Sequence, residues 1–384
     1  MKRVCFCIIS SFMTILCFAS QGALPGVFSV SATLKVHFSQ GNLQYNAKCD
    51  SHQCADGSTQ PGTWRFAEHQ WDTIGINNKY ISSSYNGWID LFGWGTSGWN
   101  SGATAYQPWS ASTTNTDYLN QDLFGDYANA DWGVYNAIIN GGNIAGVWRT
   151  LTSGEWYYML AERPNADDKK AVATVNGIEG IVLLPDDWTL PSGLTFTSGM
   201  GGDISLESYR GKNDYTLAQW QTMENAGAIF LPNAGARNGN TTYTRGAYEL
   251  YQTSANGSSE NNYMFSCSGN GISINSNSKV KRQGVSVRLV CELPSFAVIV
   301  NSLDAAGGAV NGSGIYNYGT NLQITATPNE CYRFVQWSDG NTYNPRTITV
   351  TGNATYTAEF EQIQYTIEAQ SADTGQGSAT VTNP

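Results

Sequence analysis

The sequence predicts an α+β domain followed by small all-β modules, and three observations carry that reading. Residues 24–292 mix many short runs of alternating apolar and polar residues with two helix starts marked by capping boxes. Residues 293–361 keep the alternation but contain no helical period. Residues 362–384 begin to repeat the pattern that opens at Phe296.

In chain order, the alternation from Gly26 to Tyr45 and the run Thr63–Ala67 predict strands. The stretch from Ile81 to Trp109 is dense in Gly, Ser, Asn and Trp and has no helical spacing, so it predicts a long structured loop. Asp131–Ile139 places Trp132, Tyr135, Ile138 and Ile139 on one helical face, with Gly141-Gly142 as the stop. Thr152-Ser153-Gly154-Glu155 is a capping box, because the Thr hydroxyl accepts from the third helical amide while the Glu carboxylate reaches back. The helix behind it turns Trp156, Met159 and Leu160 inward and ends before Pro164. Asn176-Gly177 between two β-branched runs predicts a hairpin. Thr216-Leu217-Ala218-Gln219 is the second capping box, with Leu217, Trp220 and Met223 expected inward. Five further strand-like runs follow between Gly227 and Glu292.

Leu293-Pro294-Ser295 marks a boundary, and the module 293–361 is of a size that folds alone only marginally. Tyr365-TIEAQSADTGQGSATV lines up with Phe296-AVIVNSLDAAGGAVNG, so residues 362–384 are expected to start a second repeat. That copy stops before the counterpart of Thr327-Pro328-Asn329, which leads to the expectation that the polypeptide is a fragment of a longer array.

Residues 1–23 read as a signal peptide, with Lys2 and Arg3 before an apolar run and small residues at Ala19, Ser20, Gly22 and Ala23. The run is shorter than a membrane span, so none is expected after its removal. The net charge of -10 excludes an electrostatic footprint for nucleic acid or an anionic membrane surface. Charged residues make up 13% against a usual share of roughly 25%. Aromatics nevertheless reach 12%, which sets the chain apart from a disordered one. The His residues are His37, His52 and His69, a distribution that argues against His-based metal sites and Ser-His-Asp triads.

Beyond the leader the cysteines are Cys49, Cys54, Cys267, Cys291 and Cys331. In an oxidising compartment disulfides are the default, so a local Cys49–Cys54 bridge and a Cys267–Cys291 bridge between two strand-like runs are candidates. Cys49-x-x-His52-x-Cys54 has no second Cys/His pair at zinc-finger spacing. No metal and no cofactor is expected.

Residues 26–292 resemble a family of exported proteins from Gram-negative gut bacteria, on segments such as GVFSVSAT, VHFSQGNLQY, WRFAEHQWD, GWIDLFGWGTSG and WRTLTSGEWYYML. More distantly they resemble the Fibrobacter succinogenes major paralogous domain and the formylglycine-generating sulfatase-modifying family. The resemblance lies in Arg149-Thr150-Leu151-Thr152-x-x-Glu155-Trp156 and the closing Ser286-Val287-Arg288-Leu289-Val290. That resemblance implies a C-type-lectin-like fold for 24–292. Residues 296–361 resemble the divergent internalin-type B-repeat of bacterial surface proteins, through Thr325–Asn329, Tyr332–Trp337 and Thr355–Phe360. Cys331 stands where that repeat usually has Gly, which implies a strained turn and a free thiol.

The sulfatase-modifying enzymes use a closely spaced Cys pair and a G-N-V-W-E-W segment, both missing here, and no His lies near Cys267 or Cys291 in sequence. Calcium-dependent lectin motifs are also missing. Asp90, Asp186 and Asp187 are carboxylate candidates for a glycosidase pair or a Ca2+ site, but adjacent acids on a turn more commonly cap or solvate it. Trp88, Trp94, Trp99 and Trp109 lie in or at the end of the long loop, and flat aromatic faces with neutral polar rims suit sugar binding. The competing expectation is that these Trp form the loop's own core. The resulting expectation is a non-catalytic binding or adhesion protein, secreted or on the outer surface of a Gram-negative bacterium, with a glycan or a host or other extracellular protein as partner. A divergent enzyme on the sulfatase-modifying scaffold and a structural surface-array component are the alternatives.

Overall fold

The computed structural model describes residues 22–48, 62–100, 103–199, 212–243, 249–268, 271–273, 279–292, 295–317, 320–370, 372 and 375–381. The leader (apart from its last two residues) and the Cys49–Cys54 bridge expected from the sequence lie outside these residues. The chain divides into two compact units, residues 1–293 and 294–384.

In the first unit the strands begin with β1 (Phe28–Ser29), β2 (Lys35–Phe38), β3 (Leu43–Asn46), β4 (Thr63–Phe66) and β5 (Trp88–Ile89). Helix α1 (Trp132–Tyr135), β6 (Arg149–Thr150), α2 (Ser153–Tyr157), β7 (Lys170–Val175) and β8 (Ile178–Leu183) follow. Next come β9 (Asp214–Tyr215), α3 (Leu217–Asn225), β10 (Ile229–Pro232), β11 (Ala236–Asn238) and β12 (Thr241–Tyr243). The unit closes with β13 (Glu249–Asn256), β14 (Asn261–Ser268), β15 (Gly271–Ser273), β16 (Lys279–Val280), β17 (Gln283–Gly284) and β18 (Leu289–Glu292). The strands assemble into several small sheets, ordered β1-β2-β18-β6, β10-β8-β7-β9, β12-β11-β17, β13-β14-β15 and β4-β3-β5. Strands from the two ends of the unit therefore meet, with Val290 opposite Phe38 and Cys291 opposite His37.

Both capping boxes form. Thr152 Oγ1 accepts from the Glu155 amide at 3.1 Å while Glu155 accepts from the Thr152 amide at 2.8 Å. Thr216 and Gln219 make the same exchange ahead of α3. Helix α2 passes into a wider turn over Tyr158–Glu162, and Arg163, extended before Pro164, ends it. Trp156, Met159, Leu160, Trp220 and Met223 are buried, but Leu217, in the first turn of α3, is exposed. Gly227 ends α3 with φ +99°, and its missing Cβ lets Gly26 approach. The Asn176-Gly177 hairpin turn has positive φ at both positions, 51° and 77°.

The helix expected over 131–139 is only α1. Asn136 turns to φ −110°, ψ 142°, and its side-chain amide donates to the carbonyl oxygens of Trp132 and Ser97. An Asn that caps from its own side chain ends a helix that apolar spacing alone would extend. Tyr135 consequently faces solvent, while Ile138 is buried after the turn.

The three largest apolar clusters of this unit are each built on fully buried Trp. Trp156 stacks on Phe265 at 4.8 Å among residues of β1, β2, β8, β10 and β18. Trp94, Trp132 and Trp148 fill a second cluster, and Trp220 packs edge-on to Phe230 at 5.6 Å in a third. Truncating one of these to Ala costs about 3–5 kcal/mol in a typical core.

Between the clusters lies the buried guanidinium of Arg288. Nη2 donates to Gln70 Oε1 at 2.8 Å and Nη1 to Asn42 Oδ1 at 3.4 Å. Gln70 Oε1 also accepts from the Phe230 amide at 2.7 Å, and its Nε2 donates to Glu224 Oε1 at 2.7 Å and to the Ala228 carbonyl at 3.3 Å. Burial pushes the Arg288 pKa down to about 10, which leaves it charged at neutral pH. Arg149 is held separately by a two-point contact to Glu155 (2.6 and 2.8 Å) and by Glu292 at 2.8 Å, tying β6, α2 and β18 together.

No disulfide occurs among the described residues, and Cys291 is buried. The side chain of Cys267, and with it the Cys267–Cys291 bridge expected from the sequence, lies outside the described residues. Cys291 lies on β18, opposite His37, whereas Cys267 lies on β14 of another sheet, opposite Glu249 and Ile272. Two strand-like runs of one domain need not be neighbours when the strands are divided among many small sheets. Among the described residues no helix is long and apolar enough to cross a membrane.

The second unit is all β. It comprises β19 (Ser295–Ser302), β20 (Gly308–Asn311), β21 (Gly314–Asn317), β22 (Asn321–Pro328), β23 (Tyr332–Trp337), β24 (Arg346–Thr349) and β25 (Ala354–Gln362). Its sheets run β21-β19-β25-β23 and β20-β22-β24, with β19 parallel to β25. Trp337 is fully buried at the centre and donates from Nε1 to the Tyr343 carbonyl at 3.0 Å. Cys331 is exposed and free, at φ +66° in the turn between β22 and β23. The second repeat expected from Tyr365 onward does not form a strand over residues 363–370, and Tyr365 and Ile367 are exposed. A strand needs a neighbouring ladder for its backbone groups, and alternation alone does not supply one.

Two outcomes follow from this packing. Gln70→Leu, which strips both Arg288 and the Phe230 amide of a partner, is expected to lower the unfolding free energy by about 3 kcal/mol or more. Urea denaturation measures it, and a loss below about 1 kcal/mol would show that the buried polar network is dispensable. Cys331→Gly relieves a left-handed backbone and is expected to raise the stability of the second unit by about 0.5–1 kcal/mol. An unchanged or lower melting temperature would contradict that.

Candidate functional site

The long loop read from the sequence is irregular, and its side chains divide between its own core and an open cleft. Asn78 and Asp90 fasten its first wall. Asn78 Oδ1 accepts from the amides of Asp90 (3.0 Å) and Leu91 (3.2 Å), while its Nδ2 donates to Asp90 Oδ1 at 2.7 Å. Asp90 Oδ2 accepts from the Ile74 amide at 2.8 Å. Those bonds hold the short 3-10 turn Gly75–Tyr80, which delivers Ile81, Ser82 and Ser83 to the cleft. A second turn, Thr104–Tyr106, is tied back by Gly98 donating to the Tyr106 carbonyl at 2.8 Å and by Gln107 Nε2 donating to Asn100 O at 3.0 Å. The third wall is Trp109–Ser112 with Asp117, where the Ser112 hydroxyl donates to the Asp117 carboxylate.

The cleft has a volume of about 650 Å³. Trp109 lines it while packing its other side against the cluster of Trp94 and Trp132. Ala103, Ala105 and Ala111 supply small apolar surface, and Ser82, Ser83, Thr104 and Ser112 supply hydroxyls, while Ser110 is buried. The charged side chain among the lining residues is Asp117, which is exposed.

Of the residues singled out from the sequence, only Trp109 lines this cleft. Trp94 and Asp90 are fully buried, the first as core and the second as the anchor of the Asn78 turn. Trp99 lies behind the second wall, against Tyr106 at 5.4 Å and Tyr127 at 6.4 Å. Trp88 lies on β5 with the Arg65 guanidinium over its ring at 3.8 Å, so one face is covered. Asp186 and Asp187 do not line the cleft either. Asp186 accepts from the Ser29 hydroxyl (2.6 Å) and amide (3.1 Å) and pairs with Lys35 (3.2 Å) and Arg163 (3.3 Å). Burial works to raise its pKa, but the Ser29 and Lys35 contacts outweigh it and hold the carboxyl below the usual range. Asp187 beside it is exposed. These two acids therefore do not face each other across a shared opening. Among the described residues no group of three or more His, Cys, Asp or Glu is placed to hold a metal ion.

The sequence reading missed the hydroxyl rim. Its signal was present in the Ser runs of Ile81-Ser82-Ser83-Ser84 and of Trp109-Ser110-Ala111-Ser112, the second of which follows the Trp that lines the cleft. Attention to aromatics alone gave no means of separating Trp109 from Trp94.

No curated protein and no solved structure matches the chain. Residues 299–364 match the family model of the divergent InlB B-repeat domain. All three signature stretches noted in the sequence lie at least in part on strands of this unit, Thr325–Pro328 on β22, Tyr332–Trp337 as β23 and Thr355–Phe360 within β25. The second unit is thus a divergent B-repeat, a module typical of surface proteins.

Proposed function

We propose that the chain is a non-catalytic adhesion or binding protein, secreted or displayed on the outer surface of a Gram-negative bacterium. In this reading the first unit is a C-type-lectin-like domain that binds a glycan or a host or other extracellular protein. The B-repeat unit serves as its stalk. The observation that carries the reading is the open cleft of Trp109, an aromatic face with a neutral hydroxyl rim, on a chain that also bears a surface-protein module. The signal-peptide pattern of residues 1–23 and the meeting of β2 and β18 support it. So does the commitment of Asp90 and Asp186 to internal bonds, which takes both out of acid–base work.

One observation favours the enzyme alternative. The register places His37 beside Cys291, a neighbour that the sequence order hid. Both are buried, burial lowers the His37 pKa, and His37 Nδ1 is 2.9 Å from the Gly26 carbonyl oxygen. A nucleophilic thiol needs access and a base that is available to it, and this pair has neither an opening nor an uncommitted Nδ1.

The full chain, presented to an array of glycans and extracellular host proteins, is expected to be retained by a restricted subset. A blank array would sink the binding reading, and substrate turnover abolished by Cys291→Ser at unchanged melting temperature would replace it with the enzyme.

A further inference from the structure

We infer that the Trp109 cleft takes a neutral saccharide of one or two rings, with an apolar sugar face on the indole and hydroxyls on the serine rim. The inference rests on the binding reading and names the ligand class of the same site.

The size comes first. A volume of about 650 Å³ lies within the roughly 300–1,000 Å³ typical of small-molecule sites. It suits a small ligand and gives little room to a folded partner.

The lining chemistry narrows the class. A pyranose presents a C–H face on one side and a ring of hydroxyls around its edge. Each hydroxyl both donates and accepts, and serine and threonine hydroxyls do the same, so the two sets pair whichever way the protons turn. Trp109 offers the flat apolar surface, and Ala105 and Ala111 leave room around it. An amino-acid or nucleotide ligand would want cations for its carboxylate or phosphate. Among the described residues the lining includes no Lys or Arg, and its charged side chain is the carboxylate of Asp117. That acid repels sialic, uronic and sulfated sugars, while its oxygens accept from neutral sugar hydroxyls. Arg282 is not in the lining, and its Nη1 donates to Asn115 Oδ1 at 3.0 Å. Arg237 is fully buried and donates to the carbonyls of Leu91 at 2.7 Å and Gly239 at 3.2 Å.

The site is also held in place before a ligand arrives. Ser110 donates from its amide to the Gln107 carbonyl at 2.8 Å, which fixes the turn carrying Trp109. Asn78 and Asp90 fix the opposite wall. A rigid aromatic between two anchored walls loses little freedom on binding.

The test is calorimetric titration of the full chain with neutral mono- and disaccharides, N-acetylated hexosamines included, and with uronic and sialylated counterparts. A neutral sugar is expected to bind, with affinity reduced about tenfold or more by Trp109→Ala. Asp117→Asn is expected to weaken it several-fold, and Trp88→Ala, outside the cleft, to leave it unchanged. Circular dichroism checks that each variant folds. If Trp109→Ala does not, Asp117→Asn and Ser112→Ala at the exposed rim decide in its place. Preference for acidic sugars, neutral binding indifferent to the cleft variants, or no saccharide binding would each overturn the inference. Retention of an extracellular protein without any saccharide binding removes the inference and leaves the binding reading standing. Failure of both removes both.

Discussion

The first unit depends on a positive charge kept inside it. Arg288 lies near the end of the unit, yet its guanidinium reaches Asn42 and Gln70, which come from the opposite end. An isolated buried cation costs several kcal/mol, and Coulomb attraction is normally what offsets it. Here the carboxylate of Glu224 stands one amide away, linked through Gln70, whose side chain uses both its oxygen and its nitrogen twice. The arrangement spreads the charge over a relay of hydrogen bonds. It also fixes four separate pieces of chain relative to one another: the turn at Asn42, the segment at Gln70, the end of α3 with β10, and the residue leading into β18.

That relay explains how a unit of many short sheets holds together. None of the sheets is wide enough to define a core alone. The apolar clusters on Trp156, on Trp94 with Trp132 and Trp148, and on Trp220 are each local. Polar contacts that run between clusters, through Arg288 and through Arg149 with Glu155 and Glu292, set their mutual geometry. Apolar burial supplies most of the stabilisation, and the buried polar bonds supply uniqueness.

Local rules were legible in the sequence where the chemistry was local. The capping boxes at Thr152 and Thr216 and the Asn176-Gly177 turn are each complete within four residues, and each forms. Cys331 in a Gly position was legible for the same reason, since a single backbone angle decides it. The reading failed where a distant partner decides. Asn136 ends α1 by reaching Ser97, and Asp90, plausible as an exposed acid, is absorbed by Asn78 and Ile74. Cys291 meets His37 through sheet register, which no spacing could show. Gln70 and Asn42 carried no signal at all, because an isolated amide looks the same on a surface and at the hub of a network.

The Arg288 contacts have a temporal consequence as well. Asn42 and Arg288 are 246 residues apart, and Gln70 and Arg288 are 218 apart. The early strands pair locally, β1 with β2 and β3 with β4, but the Arg288 relay to Asn42 and Gln70 has no cation until almost the whole unit has been made. Contacts of such separation are slow to close. The buried charge relay is therefore the last part of the unit that can be completed as the chain is made.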